Sequence, residues 1–318
     1  MNKIILISGD PNSINSEIIY KAWKKLSKSL RRRIYIISNF ELLKKQFSNL
    51  KYSIKLNKIY NINEATKHNE LNVISLKLKF KRPFSVPKKE ASKFVINSLN
   101  YAHSLAIKDK KINIINCPIN KNLLKKNKIG VTEYLAKKCK VKDSSEAMLI
   151  KNKNFAVSPI TTHIDVNEIS KKINSKIIFS KIFTIHSWYK DKFKTKPKIG
   201  VLGLNPHNAE LRINSEERRI IIPSILKLKK SGVNVNGPLV ADTVFIKEYK
   251  NYDLLVGMYH DQILSPFKAL FRFDAINVTL GLKYLRVSPD HGTAANLIGK
   301  KKANPTSLIK CIDFLNKI

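Results

Sequence analysis

The chain opens on an apolar run, Lys3-Ile4-Ile5-Leu6-Ile7-Ser8, long enough for one strand, and turn residues follow at once from Gly9 to Ser16. The next apolar positions, Ile18, Ile19, Ala22, Trp23 and Leu26, recur at helical spacing, which predicts a helix capped by Ser16 and running through Leu30. Arg33 to Ile37 predicts a second strand and Phe40 to Phe47 a second helix. Strand, turn, helix, strand is how a parallel α/β sheet begins. Tyr52 to Phe80 is strand-like but less regular, and Pro83 and Pro87 punctuate the chain after it. Lys88 to Ile107 then places Ala91, Phe94, Val95, Ser98, Leu99, Ala102 and Leu105 on one face of a long amphipathic helix. Ile112 to Ile115 is another buried strand.

The alternation continues. Thr132-Glu133 opens a helix, and Ala147 to Ile150 and Phe155 to Val157 predict adjacent strands that deliver Thr161-Thr162-His163. Helices are expected over Asp165 to Ile173 and Ile178 to Tyr189. Lys198 to Leu202 is a buried strand leading into Gly203-Leu204-Asn205-Pro206-His207. Ser215, Glu216 and Glu217 start a helix through Leu228, with acids in its first turn and lysines in its last, as the helix dipole favours. Asn236-Gly237-Pro238 predicts a turn. Tyr252 to Val256 is a strand ending at Gly257-Met258-Tyr259-His260-Asp261-Gln262. Ile276 to Leu280 and Leu285 to Ser288 are further strands. Asp290-His291-Gly292-Thr293-Ala294 predicts a helix start, and Thr306 to Leu315 the last helix. The fold class is α/β.

With 318 residues the chain exceeds most single cores and suggests two domains. Lys and Arg exceed Asp and Glu by 37 charges. A polyanion-binding surface and a compositional drift toward Lys, Asn and Ile both produce such an excess. The lysines are spread from end to end between apolar positions, which favours drift; no specific nucleic-acid partner is expected, and the charge serves to attract anionic substrates. No apolar run approaches the ~18 residues of a spanning helix, so no membrane segment is expected. The first apolar run is too short for a signal peptide. The three cysteines, without a CxxC pair, fit a reduced, cytoplasmic chain. The dinucleotide fingerprint, the Walker loop and the GxSxG elbow are all absent from the sequence.

Candidate chemistry sits after the predicted strands, where open α/β sheets place it. His163, His207 and His260 each follow one. Neutral imidazole is a common metal ligand, and a catalytic site with three protein ligands keeps one position open. Convergence of the three on one divalent metal is the central hypothesis; an ordinary loop histidine is the alternative for each taken singly. Lys268, Asn277 and Arg286 lie in or beside the segments after His260 and offer a point charge, an amide and a forked cation to an anionic substrate. Arg286 stands on an apolar strand, where a charge must find a partner. Asp290, His291, Gly292 and Thr293 at a helix start would suit a nucleotide phosphate, or be a simple capped helix.

Five stretches, in order, carry a resemblance: Gly203 to His207; Asn236-Gly237-Pro238-Leu239 with Ala241-Asp242-Thr243; Met258 to Gln262; Asn277-Val278-Thr279-Leu280-Gly281-Leu282; and Asp290 to Ala294. Together the chain resembles the 4-hydroxythreonine-4-phosphate dehydrogenase family of pyridoxal phosphate biosynthesis. The resemblance implies a two-domain isocitrate/isopropylmalate dehydrogenase-like fold with the active-site cleft between domains, the first expected over 1–115 and 256–318 and the second, with dimer contacts, over 116–255. It implies a homodimer whose metal site is shared between subunits. His163, His207 and His260 match the ligands of a divalent metal (Zn, Mg or Co). Thr132, Lys268, Asn277 and Arg286 match substrate-binding residues. Lys268, Asp242 and Asp261 are candidates for proton transfer or ligand orientation, and Asp290, His291, Gly292 and Thr293 for cofactor contacts. The implied reaction is NAD- or NADP-linked oxidation of a secondary alcohol on a small phosphorylated hydroxy acid, followed by loss of carbon dioxide.

The chain departs from the family pattern in four places. Val131 replaces a usual His, Ile263 a usual Gly, the loop from Asn122 to Gly130 is shorter, and the first turn has less glycine. These departures leave as alternatives a related dehydrogenase acting on a phosphorylated four-carbon sugar acid, and reduced activity; the excess positive charge leaves a basic nucleic-acid-binding protein on a retired enzyme scaffold.

Overall fold

The computed structural model describes residues 2–64, 66–124, 130–141, 145–272 and 274–318. The expected short loop before Thr132 lies partly outside them, because 125–129 are not described. Among the described residues the strands are β1 (Lys3–Ile7), β2 (Ile34–Ser38), β3 (Lys55–Ile59), β4 (Glu70–Ser75), β5 (Ile112–Asn116), β6 (Ala147–Lys151), β7 (Ala156–Pro159), β8 (Ile199–Leu202), β9 (Val235–Leu239), β10 (Leu254–Gly257), β11 (Ile276–Leu280) and β12 (Arg286–Pro289). The chain divides into two compact units, Met1–Leu135 with Lys283–Ile318, and Ala136–Leu282.

In the first unit the strands run in the order β3-β4-β2-β1-β5-β12, every pair parallel. Register is set by apolar rows such as Ile36–Leu6–Ile115. β2 and β5 are buried at every position, and β1 at all but Lys3. Unbroken burial, in place of alternation, is the mark of a parallel sheet covered on both faces. The helix Lys88–Lys108 supplies part of that cover through Ala91, Phe94, Val95, Leu99, Ala102 and Ala106.

The second unit is mixed. Its order is β11-β6-β7-β10-β8-β9, with β11-β6 and β6-β7 antiparallel and the rest parallel. Phe155, Val157, Leu202, Leu255, Ile263, Leu264 and Phe267 lie in one of its buried clusters. β10 pairs with both β7 and β8. That pairing ties residues 254–257, and the helix after them, to this unit, so the compact unit extends to Leu282, past the boundary near 255 expected from the sequence.

Four local expectations are corrected. The first helix runs only over Asn15–Lys25; Leu26 adopts an extended conformation, and Ser27 caps a separate helix over Lys28–Arg32 through the Leu30 N–H. Ser16 is buried inside the first turn and is not the cap. Asn236-Gly237-Pro238 is no free turn but part of β9, whose register against β8 shifts between Gly200 and Leu202 and whose Gly237–Pro238 bond is cis. The helix expected from Asp290 is absent: Ala294 stands in the left-handed region and a single 3-10 turn, Ala295–Leu297, follows.

Candidate functional site

The second unit brings two of the three histidines together. His163 follows β7 in a loop held by Thr161, whose N–H and hydroxyl both donate to the Met258 carbonyl at 3.1 and 2.7 Å. His260 is the first residue of the helix His260–Phe271, just past β10. Because β7 and β10 are parallel neighbours, their carboxyl ends deliver both side chains to one place. The ring centroids are 5.3 Å apart, inclined at 40°. His260 Nδ1 lies 2.6 Å from Asp261 Oδ1, a contact that leaves Nε2 free of the carboxylate.

His207 is not part of that pair. Among the described residues no three His, Cys, Asp or Glu side chains gather as a metal cage. The adjacent imidazoles suit a nitrogen-preferring divalent ion, while the third ligand expected from the sequence is not assembled with them. His207 instead starts a run of five non-glycine residues, His207 to Leu211, all with φ between 45° and 56°. Each residue held in the left-handed region costs about 1–2 kcal/mol, so such a run persists only where its surroundings impose it.

The surroundings are polar and closely packed. Glu217 is fully buried, and its carboxylate accepts the N–H of Leu204 and of Asn205, each at 2.8 Å, and the Asn205 side-chain amide at 3.1 Å. Burial pushes the Glu217 carboxyl up, but the hydrogen bonds from Asn205 and Leu204 outweigh it and hold the group below the usual carboxylate range. Asn208 donates to the Pro238 carbonyl at 3.1 Å. A Cβ on Gly203 would run into Asn208 Oδ1 and lie 3.2 Å from Glu217 Oε1, so only glycine admits both side chains. Gln262 links this loop to the histidine pair: it donates to the Gly203 carbonyl and accepts the Met258 N–H, both at 2.7 Å.

The remaining second-unit candidates are dispersed. Lys268 lies in the last turn of the His260 helix and is half-buried. Asp242 is exposed on the short helix Ala241–Val244. Asn277, on β11, has a buried side-chain oxygen with no hydrogen-bond partner in the protein. Ile263 sits fully buried in the apolar cluster, so that departure from the family pattern is absorbed by packing.

In the first unit Arg286 opens β12 at 3% exposure. Its Nε donates to Asn116 Oδ1 at 2.6 Å, and Nη1 to Thr132 Oγ1 at 3.3 Å. Burial lowers its pKa to about 10, and the nearby Cys311, Glu133 and Tyr284 oppose that shift. Val131 and Thr132 begin the helix Val131–Lys138, which aims the threonine at the guanidinium. Asp290, His291, Gly292 and Thr293 form a loop anchored by the Thr293 carbonyl, which accepts the Ile14 N–H at 3.3 Å, and by the Ser307 hydroxyl, which accepts that of Asp290 at 3.1 Å. His291 Nε2 is buried without a protein hydrogen bond. Asn116, Glu217 and Gln262 escaped the reading of the sequence. Their only signals were a polar residue closing an apolar strand, an acid in a helix's first turn, and an amide after His-Asp.

The α/β fold is shared with isocitrate dehydrogenase from Methylococcus capsulatus, which superposes with a TM-score of 0.51 at 11% identity, over 99% of this chain and 85% of that one. At that identity the likeness speaks for the fold alone. The chain belongs to the family of the pyridoxal phosphate biosynthetic protein PdxA, whose family model matches residues 29–315. The 4-hydroxythreonine-4-phosphate dehydrogenase of Aquifex aeolicus is 38% identical over 327 residues, covering 100% of both chains. That of Sulfurihydrogenibium sp. is 36% identical over 99% of this chain and 97% of its own. The crystal structure of the Klebsiella pneumoniae enzyme of the same name superposes with a TM-score of 0.85 at 29% identity, covering 99% of each.

Proposed function

We propose that this chain oxidises the secondary alcohol of 4-phosphooxy-L-threonine with NAD or NADP and that the product loses carbon dioxide, a step of pyridoxine 5'-phosphate formation. The observation that carries the reading is the end-to-end likeness to the Aquifex aeolicus enzyme of that name, 38% identical with both chains fully covered. A bound nicotinamide would supply the acceptor for the C–H hydride, and the O–H proton would pass to a base on the protein. The oxidised product is a β-keto acid, which releases carbon dioxide and is then protonated.

The chain's own residues are assigned as follows. His163 and His260, with His207 completing the set only across the shared site of the proposed homodimer, would hold a divalent ion (Zn, Mg or Co), which would supply Lewis-acid polarisation of the substrate oxygen. Asp261, 2.6 Å from His260 Nδ1, orients that ring. Lys268 and Asp242 are the candidates for moving the proton. Arg286 with Thr132, and Asn277, bind anionic and polar groups of the substrate. Asp290, His291, Gly292 and Thr293 contact the nucleotide; the buried His291 Nε2, without a protein hydrogen bond, is a group a ligand would satisfy. The working unit is a homodimer sharing the metal site, in the cytoplasm.

Val131, in place of the usual His beside Thr132, favours a second reading: a phosphorylated four-carbon sugar acid as substrate. A panel of 4-phosphooxy-threonine, phosphothreonate and phosphoerythronate, read by the reduction of NAD or NADP, separates the two. Turnover of the sugar acids alone would overturn the first reading. His260→Ala should lose bound metal and turnover together, and a variant that kept both would remove His260 from the site.

A further inference from the structure

The loop that carries His207 is held in a costly shape by a residue with no assigned part in the chemistry. We propose that Glu217 is the positioning residue for His207. Its buried carboxylate gathers the N–H groups of Leu204 and Asn205 and the Asn205 amide, which fixes the chain immediately before Pro206 and His207. Pro206 has a restricted φ, so what is fixed at Asn205 is passed on to His207 with little slack. On the other side, Asn208 reaches the Pro238 carbonyl, and Gly203 is bare where both Asn208 and Glu217 approach. The left-handed run from His207 to Leu211 is thereby clamped at its start.

A helix-dipole role, the ordinary reading of an acid in a first turn, does not account for this geometry. Glu217 begins a π-type turn, and its side chain points into the preceding loop and away from solvent. Glu216 beside it accepts the same Asn205 amide at 2.8 Å but is half-buried, so it supports the clamp from the outside. A carboxylate taking three N–H donors in a dry site is worth more than a neutral acceptor, and removing it leaves buried donors unpaired.

The inference rests on the proposed function only in taking His207 as a working residue of the site. It is tested on the full-length protein with a double-mutant cycle: wild type, H207A, E217Q and H207A/E217Q. Gln keeps the size of Glu but turns an N–H₂ toward the Asn205 amide. For E217Q we expect a fall in kcat of about tenfold to a hundredfold, as misplacement of a reacting group produces. In the H207A background the same change should have no further effect on kcat. Amide exchange of 204–209, measured by mass spectrometry without added metal or substrate, should accelerate about tenfold in E217Q. A multiplicative loss in the double variant, or unchanged exchange over 204–209, would overturn the proposal. Wild-type kcat in H207A would instead overturn the role given to His207, whatever Glu217 does. Should E217Q fail to fold, Asn205→Ala removes the side-chain donor that the Glu217 carboxylate holds, and the same cycle and exchange measurement read it with the same outcomes.

Discussion

Gln262→Glu isolates one hydrogen bond without changing shape. In the wild type, Gln262 accepts the Met258 N–H and donates to the Gly203 carbonyl, both at 2.7 Å. An ionised Glu keeps the first bond, but its second oxygen then faces the Gly203 oxygen at that distance. The lost bond costs about 1 kcal/mol, and the opposed oxygens in a half-buried site add a similar amount, so about 2 kcal/mol in all. For a unit of this size that is a fall in Tm of roughly 4–8 °C. The substitution carries its own internal control. A protonated Glu can donate to the Gly203 carbonyl as Gln does, so the folded state raises the pKa of this carboxyl above its unfolded value, near ~4.3. The stabilising proton is fully present below that unfolded value and is lost as pH rises through the folded one. The Tm deficit of the variant against wild type should therefore be small near pH 4 and widen to its full size at neutral pH. Gln262→Met, which removes both bonds without an ionisable group, should show a deficit independent of pH. Scanning calorimetry from pH 4 to 8 measures both. A pH-independent deficit for the Glu variant, or none, would refute the assigned role of Gln262.

Further expectations concern neighbouring groups. Gly203→Ala should lower the stability of the second unit by about 1–3 kcal/mol in denaturant titrations, because its methyl meets Asn208 and Glu217. Asp261→Asn should lower kcat about tenfold, the low end for a group orienting a ligand, because Asp261 is 80% exposed; kinetics at saturating metal test this. Arg286→Lys should raise the substrate KM about tenfold or more, since one ammonium cannot serve Asn116 and Thr132 as the fork does; an unchanged KM would remove Arg286 from substrate binding.

Much of the architecture was legible in one sequence. The runs at β1, β2, β5 and β8 are mostly apolar, and buried at every position but Lys3, because parallel strands are covered on both faces, and the Lys88–Lys108 helix announces its buried stripe by spacing alone. Local rules also placed His163 and His260 at strand ends. They failed where a distant partner outweighed a local preference. Leu26 leaves the first helix although its spacing continues it, and Pro238 enters a strand because β8 offers a shifted register.

What the sequence determined by itself, then, is periodicity and residue chemistry: which segments bury a face, and which side chains can bind a metal or an anion. Tertiary structure alone decided which of them meet. β7 and β10 are parallel neighbours although 156–159 and 254–257 are far apart in the chain, and this pairing puts the rings of His163 and His260 5.3 Å apart. The partners of Arg286, Glu217 and Gln262 were invisible for the same reason. A buried charge or amide chooses its contacts by where the backbone returns, and no spacing along the chain records that choice.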